Sequence, residues 1–314
     1  MLDNREKNFV SAVIYVHDSE DCIGSFVQMV VKTLDSHFEH SEVICVNDAS
    51  EDESVGEIRK SAKDSGCSTS VSILNLSYFH GVEPSMNAGR DLAIGDFVYE
   101  FDAAIPDFKP ELIMDIYRKS LEGFDIVNAV PNTGQRLSSS LFYHLMNRYG
   151  HFAYHFCSER FRIISRRAIN RISNLNREIV YRKTAYASCG LKAFQLRYTP
   201  DSSVHRSGNR AEDRYRHELA ANSLLLFTSI GYRLSMMITA LMGLFCLGMV
   251  LYTLIFYILS DPIRGWTSTI LFLSAVFFGL FAILTVIIRY LQILLSLSFK
   301  RKSFTFESIE KIMG

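Results

Sequence analysis

The sequence predicts an α/β domain with a mostly parallel sheet, followed by a two-helix transmembrane hairpin. Over the first two hundred residues, short apolar segments rich in β-branched and aromatic side chains alternate with amphipathic segments, which is the pattern of strand and helix in turn. Residues 234–299, in contrast, contain only three charged residues. This change in composition marks a boundary between two domains.

Two β-α units open the chain. The compact apolar run at 9–16 predicts a strand, and a polar loop containing Asp18 leads to an amphipathic helix over 23–34. The run at 42–46 predicts a second strand, which ends in a loop containing Asp48 and leads to another helix. Strand-helix-strand repeats of this length favour parallel pairing.

A third unit leads to an aspartate. We expect a strand over 71–76, a short helix over 85–93 and a fourth strand within residues 95–104, which ends at Asp102 before Pro106. The carboxyl end of a strand in an open α/β sheet is where ligands bind. Asp102 is therefore a candidate ligand-binding residue, although one aspartate at a strand end is also a common turn or cap residue.

The aspartates after the first, second and fourth strands form a candidate site. If these strands are neighbours, Asp18, Asp48 and Asp102 meet at one edge of the sheet, where a nucleotide would bind. The glycine-rich fingerprints of dinucleotide-binding and P-loop proteins are missing, which disfavours both classes. A divalent cation would bridge these carboxylates to a diphosphate.

Composition excludes further classes. The 33 basic residues balance the 33 acidic ones, so nucleic-acid binding is not indicated. The six cysteines are scattered without a C-x-x-C pair, which favours reduced core thiols over zinc or redox chemistry.

The C-terminal apolar region predicts two membrane spans. Residues 234–260 form an uncharged run of about 27 residues, and a helix needs about 20 to cross the hydrocarbon. A turn at 261–265 precedes a second crossing over 267–288, and we expect an interfacial extension to residue 299. Gly243 and Gly248 would permit close packing against another subunit, so a homo-oligomer is possible.

Basic residues orient the hairpin. They flank both spans, whereas the connecting loop contains only Arg264, so the positive-inside rule places both termini in the cytoplasm. In a bacterium this membrane would be the inner (plasma) membrane. The flanking basic residues are Arg206, Arg210, Arg214, Arg216, Arg233, Lys300, Arg301 and Lys302.

Four short motifs carry a resemblance to a known family. Val-Asn-Asp-Ala-Ser at 46–50, Met-Asn-Ala-Gly at 86–89, Ala-Ile-Gly-Asp at 93–96 and Phe-Asp-Ala at 101–103 resemble the inverting family-two glycosyltransferases of the GT-A fold. With the two spans, Phe-Arg-Ile-Ile-Ser-Arg-Arg at 161–167 resembles the polyprenyl-phosphate group of that family. This group includes dolichol-phosphate mannose synthase and the bactoprenol glucosyltransferases.

The resemblance implies a set of site residues. The catalytic residues would be Asp102 and Asp107, and Asp102 would also hold a Mg²⁺ or Mn²⁺ ion. The implied nucleotide-sugar contacts are Asp18, Asp48, Asn87 and Asp102, and the implied contacts of the acceptor phosphate are Arg162, Arg166 and Arg210.

The sequence also departs from the family pattern. Where the family has D-A-D-L-Q-D, residues 102–107 read Asp-Ala-Ala-Ile-Pro-Asp, so Ala104 replaces the second metal carboxylate. Arg160 stands where the family has an acidic residue. A lone carboxylate holds Mg²⁺ only if phosphates and waters supply the other ligands.

Two functions remain open. The first is a membrane-bound glycosyltransferase that moves a sugar from a nucleotide sugar to polyprenyl phosphate with inversion, for synthesis or modification of a cell-envelope glycan. The second is a catalytically impaired relative with an assembly or regulatory role in a glycan pathway, which the alanine at position 104 favours. A receptor or transporter component is disfavoured because two spans form no obvious pathway.

These expectations divide the chain into four parts. The implied parts are a cytosolic GT-A domain over 1–210, a juxtamembrane amphipathic helix over 211–233, the two spans with their extension over 234–299, and a cytosolic tail over 300–314.

Overall fold

The computed structural model describes most of the N-terminal two thirds of the chain and one segment near its end. The described residues are 5–132, 137–149, 155–174, 181–201, 210–227 and 306–312, with scattered helical positions between 237 and 294. The chain divides into two compact units. The first comprises Met1–Asn147, Phe152–Ala220 and Arg301–Gly314, and the second comprises Arg148–His151 and Ala221–Lys300.

The first unit contains one eight-stranded sheet in the order β7-β5-β6-β4-β1-β2-β3-β8. Within it, β6 and β8 run antiparallel to their neighbours and the remaining pairs are parallel. The predicted α/β class with a mostly parallel sheet is therefore confirmed. The strands are β1 (Val10–Val16), β2 (Ser41–Asn47), β3 (Ser70–Leu76), β4 (Phe97–Phe101), β5 (Ile126–Pro131), β6 (Phe161–Ser165), β7 (Ala193–Tyr198) and β8 (Phe306–Ile312).

Helices follow most of the strands. Those after β1, β2 and β3 agree with the predicted helices, although their ends differ by a few residues. The helices are α1 (Glu20–His37), α2 (Ser54–Ser65), α3 (Val82–Leu92), α4 (Glu111–Leu121), α5 (Leu137–Tyr149), α6 (Arg166–Ser173), α7 (Arg182–Ser188) and α8 (Arg210–Phe227).

Strand β1 lies at the centre of the sheet and is buried along its whole length. Its alternate side chains enter two different cores: Ile14 joins the cluster that contains α1 and α4, whereas Val13 joins the cluster that contains α3 and α6. Helix α3 packs closely because Gly89 has no side chain; a Cβ there would lie 2.6 Å from Cγ2 of Val46. Because helices cover both faces of the sheet, the central strand β1 is almost entirely apolar.

The C-terminal residues add the last strand to the sheet. The sequence analysis assigned 300–314 only as a tail, but β8 pairs with β3 along most of its length, from Val71 opposite Ile312 onward. Arg59 on α2 donates bidentate hydrogen bonds of 2.8 to 3.0 Å to the carboxylate of Glu310. The first unit is therefore completed by residues that follow the second unit in the sequence.

The second unit contains the end of α8 and scattered helical positions. Among the described residues, no helix combines the length and the apolar character that crossing a membrane requires. Most residues of the predicted spans at 234–260 and 267–288 lie outside the described part of the chain. The same is true of Arg289, which follows the second span.

Candidate functional site

The loops that follow β1, β2 and β4 lie at one edge of the sheet. Val16 pairs with Asn47, and Ile14 pairs with Phe101, so the three strands end at similar heights. The backbone amide of Asp48 also donates a 2.9 Å hydrogen bond to the carbonyl of Val16. The structure thus places Asp18, Asp48 and Asp102 at the same edge, called here the carboxyl edge.

Asp48 organises the loop that follows β3. Its buried carboxylate accepts hydrogen bonds from the backbone amides of His80 and Gly81, at 2.8 and 2.7 Å, and from the hydroxyl of Tyr15 at 3.1 Å. Burial raises the pKa of Asp48, and these hydrogen bonds oppose the rise. Both carboxylate oxygens have protein donors, so the residue fixes the shape of this side of the crevice.

Asp18 joins two loops at the carboxyl edge. It has a positive φ of 42°, a conformation that aspartate tolerates better than most residues. Its Oδ1 accepts a 2.9 Å hydrogen bond from the amide of Glu51, and its own amide donates to Oγ of Ser50 at 3.2 Å. Asn87, the remaining predicted nucleotide contact, lies half-buried on α3.

Helix α8 covers the Asp48-bound loop through Tyr215. Gly81 has φ +87°, and a Cβ there would lie 2.7 Å from Cδ2 of Tyr215 and closer still to two other ring atoms. Tyr215 also makes an edge contact with Phe79, with ring centroids 6.1 Å apart. Sequence reasoning identified this helix only as an amphipathic juxtamembrane element and missed the tyrosine, because a single aromatic in such a helix has no distinctive spacing.

Asp102 is held by two buried arginines. Arg162 on β6 donates from Nη2 to Oδ2 at 2.8 Å, and Arg182, the first residue of α7, donates from Nη2 to Oδ1 at 2.7 Å. Both arginine side chains are fully buried, whereas 24% of the Asp102 side chain is exposed. Asp102 is therefore the part of this cluster that faces solvent.

A second row of carboxylates lies behind Asp102. Glu100, two residues earlier on β4, accepts from Arg162 at 3.1 Å, from Arg182 at 2.8 Å and from the hydroxyl of Tyr186 at 2.7 Å. Arg182 also donates from its amide and its Nε to Glu83, at 2.8 and 2.9 Å. Each arginine therefore bridges Asp102 to a buried acid.

Sequence reasoning missed Arg182, Glu83 and Glu100. A usable signal existed for Glu100, since a charged residue inside a buried strand is retained only where it is paired. Arg182 lies in no motif and is brought to β4 by the fold alone. Arg162 and Arg182 each donate one charge-assisted hydrogen bond to Asp102 and one to Glu100, four in all, and these bonds fix the position of Asp102.

The electrostatics keep Asp102 ionised. Burial by itself would favour the protonated acid, but the positive charges of Arg162, Arg182 and Lys183 outweigh it and hold the pKa of Asp102 well below its usual range. The carboxylate is therefore a permanent hydrogen-bond acceptor at the carboxyl edge at any physiological pH.

The residues around Asp102 do not fit a carboxylate-held metal ion. Ala104 is buried and offers no ligand, and each oxygen of Asp102 already accepts from a guanidinium. Across the described ranges, no group of three or more His, Cys, Asp or Glu residues is arranged to hold a metal. A divalent ion on Asp102 would also lie within a few ångströms of two positive charges, which is unfavourable.

Asp107 is paired with the residue that departs from the family pattern. Its carboxylate accepts a hydrogen bond from Nη2 of Arg160 and another from the hydroxyl of Tyr198 at 3.1 Å. Asp107 is almost fully buried. The arginine at position 160 therefore neutralises Asp107.

The structure does not bring Arg166 to the carboxyl edge. Strand β6 runs antiparallel to β4, so the residue after β6 lies at the opposite edge, beside Asp96 and roughly 20 Å from Asp102 at ~3.3 Å per residue. Arg166 donates there to the carbonyls of Ala93 and Gly95, at 2.7 and 2.9 Å. The structure therefore does not bring Arg166 together with Asp102 and Arg162, and its expected contact with an acceptor phosphate stays a prediction. Arg210 begins α8, and its side chain lies outside the described residues.

Comparison with solved structures supports the fold. A mannosyltransferase from Pyrobaculum calidifontis, solved in complex with GDP-Man and Mn²⁺, is similar with a TM-score of 0.50 and 15% sequence identity, and the match covers 86% of each chain. At this identity the likeness shows the GT-A type of fold alone.

Three curated relatives have similar sequences. An uncharacterized glycosyltransferase of Synechocystis sp. is 28% identical over 58% of this chain and 58% of its own length. The uncharacterized glycosyltransferase YkcC of Bacillus subtilis is 25% identical, and the match covers 83% of this chain and 81% of the relative. An undecaprenyl-phosphate 4-deoxy-4-formamido-L-arabinose transferase of Edwardsiella ictaluri is 28% identical over 41% of this chain and 39% of its own length.

A family model matches the N-terminal half of the chain. The sequence model described as glycosyl transferase family 2 matches residues 11–173, just over half of the chain. The matched range begins in β1, includes Asp48, Asp102 and Arg162, and ends at the last residue of α6. The chain belongs to glycosyl transferase family 2.

Proposed function

We propose that this chain transfers a sugar from a nucleotide-sugar donor to a polyprenyl-phosphate lipid at a membrane, with inversion at the anomeric carbon. The observation that carries the proposal is the ionised, partly exposed Asp102 at the carboxyl edge of a family 2 fold. Asp18, Asp48 and Asn87 form the nucleotide side of the same crevice, and Asp102 lies on the sugar side.

The acceptor class is supported by the relatives. The Edwardsiella ictaluri protein is named for transfer to undecaprenyl phosphate, and relatives of the same name from Aeromonas hydrophila and Shewanella sediminis are 29% and 30% identical over about two fifths of this chain. Because these matches span less than half of either chain, the lipid acceptor is carried over as a proposal. Arg210, at the start of α8, is the basic residue proposed to meet the lipid phosphate.

The membrane placement has support from side-chain exposure. In the second unit, several of the described apolar side chains are exposed at the protein surface: Leu244 is 71% exposed, Met237 63% and Leu241 60%. Clustered exposed apolar side chains indicate a lipid or protein contact. The proposed spans are 234–260 and 267–288, and the proposed cytosolic domain covers 1–210.

Strand β8 supports an even number of crossings. Residues before and after the second unit both belong to the first unit, since β8 pairs with β3. A segment between them that crosses a bilayer must therefore return to the side from which it started. This agrees with a hairpin of two spans and with both termini in the cytoplasm.

The proposed chemistry needs little proton transfer. An oxygen of the lipid phosphate attacks the anomeric carbon, the bond from that carbon to the diphosphate breaks, and the nucleoside diphosphate leaves. The attacking oxygen is already anionic, so no strong general base is required. Asp102 accepts a hydrogen bond from a hydroxyl of the donor sugar and so orients that sugar. The Mg²⁺ or Mn²⁺ implied by the resemblance does not enter the proposal, because the donor set at Asp102 does not fit it.

A transfer assay tests the proposal. The full-length protein in detergent micelles is incubated with undecaprenyl phosphate and a panel of UDP- and GDP-sugars, and glycolipid is detected by mass spectrometry. We expect product from at least one donor, and a loss of at least about a hundredfold in Asp102→Asn, as when one charge-stabilising active-site group is removed. The matched control is Arg167→Gln; Arg167 pairs with Asp125 on the α6 side of the fold and should leave transfer within about twofold.

A second candidate function is favoured by one observation. Ala104 removes a carboxylate that the family pattern supplies, which fits a catalytically impaired relative with an assembly or regulatory role in a glycan pathway. Calorimetry with UDP and GDP separates the two candidates. Nucleotide binding without glycolipid formation from any donor of the panel would favour the second.

A further inference from the structure

The arginine pair on Asp102 changes what this aspartate can do. We propose that Asp102 is not a metal ligand in this chain. Arg162 and Arg182 instead hold its carboxylate in place to accept hydrogen bonds from hydroxyl groups, so the nucleotide sugar binds without a divalent cation held by the protein. The inference rests on the proposed function, since it concerns the same donor site.

The first support is the occupancy of the carboxylate. Each oxygen of Asp102 has one guanidinium donor, at 2.8 Å from Arg162 and 2.7 Å from Arg182. A metal ion on either oxygen would share it with that guanidinium, and position 104, where the family pattern has a second carboxylate, is an alanine. The oxygens keep lone pairs for neutral hydroxyl donors, which bring no positive charge toward the arginines.

The second support is that the arginines cannot easily move away. Both are fully buried and are also bound to Glu100, and Arg182 is bound to Glu83 through two further hydrogen bonds. Releasing either from Asp102 would leave a buried guanidinium with an incomplete set of acceptors. The geometry around Asp102 is therefore built before any ligand binds.

The third support is the charge of the cluster. Four buried or half-buried acids face four basic side chains in hydrogen-bond or ion-pair contact, so a divalent ion added at Asp102 would be left without a counter-charge from the protein. The acids are Glu83, Glu100, Asp102 and Glu159, and the basic residues are Arg90, Arg162, Arg182 and Lys183.

Electron paramagnetic resonance with Mn²⁺ tests the inference on the full-length protein in detergent. We expect wild type and Asp102→Asn to bind Mn²⁺ equally weakly, with or without UDP or GDP. A wild-type affinity for Mn²⁺ at least tenfold above that of Asp102→Asn would overturn the inference. Calorimetry supplies the second arm: the affinity for the nucleotide should change by less than about twofold between EDTA and Mn²⁺.

The two arms separate this inference from the proposed function. Nucleotide binding that requires Mn²⁺ would overturn the inference and leave the proposed function standing. No binding of either nucleotide, in EDTA or in Mn²⁺, would overturn both.

A variant pair isolates the role of the arginines. Arg182→Gln removes one charge from Asp102, and we expect it to gain Mn²⁺ binding that a second substitution, Asp102→Asn, abolishes. Arg167→Gln is the matched control, because it also removes an arginine from a carboxylate but at Asp125, and it should gain none. Absence of a gain in a folded Arg182→Gln protein contradicts the inference; if that variant does not fold, the comparison of wild type with Asp102→Asn decides.

Discussion

Replacing Gly81 by alanine tests how closely α8 packs on the loop that Asp48 organises. Gly81 has φ 87° and ψ 167°, a region open almost only to glycine, so alanine would cost about 1–3 kcal/mol in backbone strain. The new Cβ would also lie 2.7 Å from Cδ2 of Tyr215. Relieving that overlap should cost about another 1–3 kcal/mol, the range for overpacking.

The matched control is Gly123→Ala. Gly123 also has a positive φ, of 96°, but a Cβ there has no heavy atom within 4 Å, so we expect only the strain of about 1–3 kcal/mol. Urea unfolding followed by far-UV circular dichroism gives both free energies. In a Tyr215→Ala background, Gly81→Ala should cost no more than the control, because the overlapping ring is gone.

Two results would refute this reasoning. One is a cost of Gly81→Ala within about 0.5 kcal/mol of that of Gly123→Ala, below the coupling expected for contacting residues. The other is an excess cost that persists after Tyr215 has been removed. Either result would mean that α8 is not held against Gly81 as the structure has it.

Three further substitutions test other parts of the first unit. Ser165→Ala removes the N-cap of α6, a 3.2 Å hydrogen bond from the amide of Ala168, and should lower the free energy of unfolding by about 0.5–2 kcal/mol in a urea titration. Arg166→Lys loses hydrogen bonds to carbonyls at the edge opposite the site, so we expect a loss of about 1–3 kcal/mol in stability with an unchanged affinity for UDP or GDP in calorimetry; a weakened affinity would contradict its placement. Glu310→Ala removes an exposed pair with Arg59 and should cost at most about 1 kcal/mol, an effect that 1 M NaCl largely abolishes.

Local sequence patterns were sufficient to predict the first half of the fold. The strands from β1 to β4 differ from the predicted ones by at most a few residues, because each is a short apolar run bounded by polar or glycine-containing loops. Strand β8 was not predicted. One face of this strand carries Glu307, Ile309 and Lys311, so its apolar and polar residues do not separate onto two faces. Only the pairing of β8 with β3, more than two hundred residues away, makes it a strand.

The candidate site was predicted only in its first layer. Asp18, Asp48 and Asp102 could be placed at one edge because they follow parallel strands. The cations around Asp102 could not, since Arg182 reaches β4 from α7 through the tertiary fold. Arg166 lies at the opposite edge for a related reason. The direction of β6 decides at which edge the residue after it lies, and the five residues of β6 do not by themselves reveal that direction.

The position of β8 in the sequence sets the order in which the first unit can be completed during synthesis. Strand β3 leaves the ribosome early, but its outer edge has no partner until residues 306–312 have been made. For most of synthesis β3 is thus an open edge, the kind that pairs with other chains and promotes aggregation. Chains truncated anywhere before Phe306 should therefore aggregate more readily than the complete protein, even when every residue of the candidate site is present.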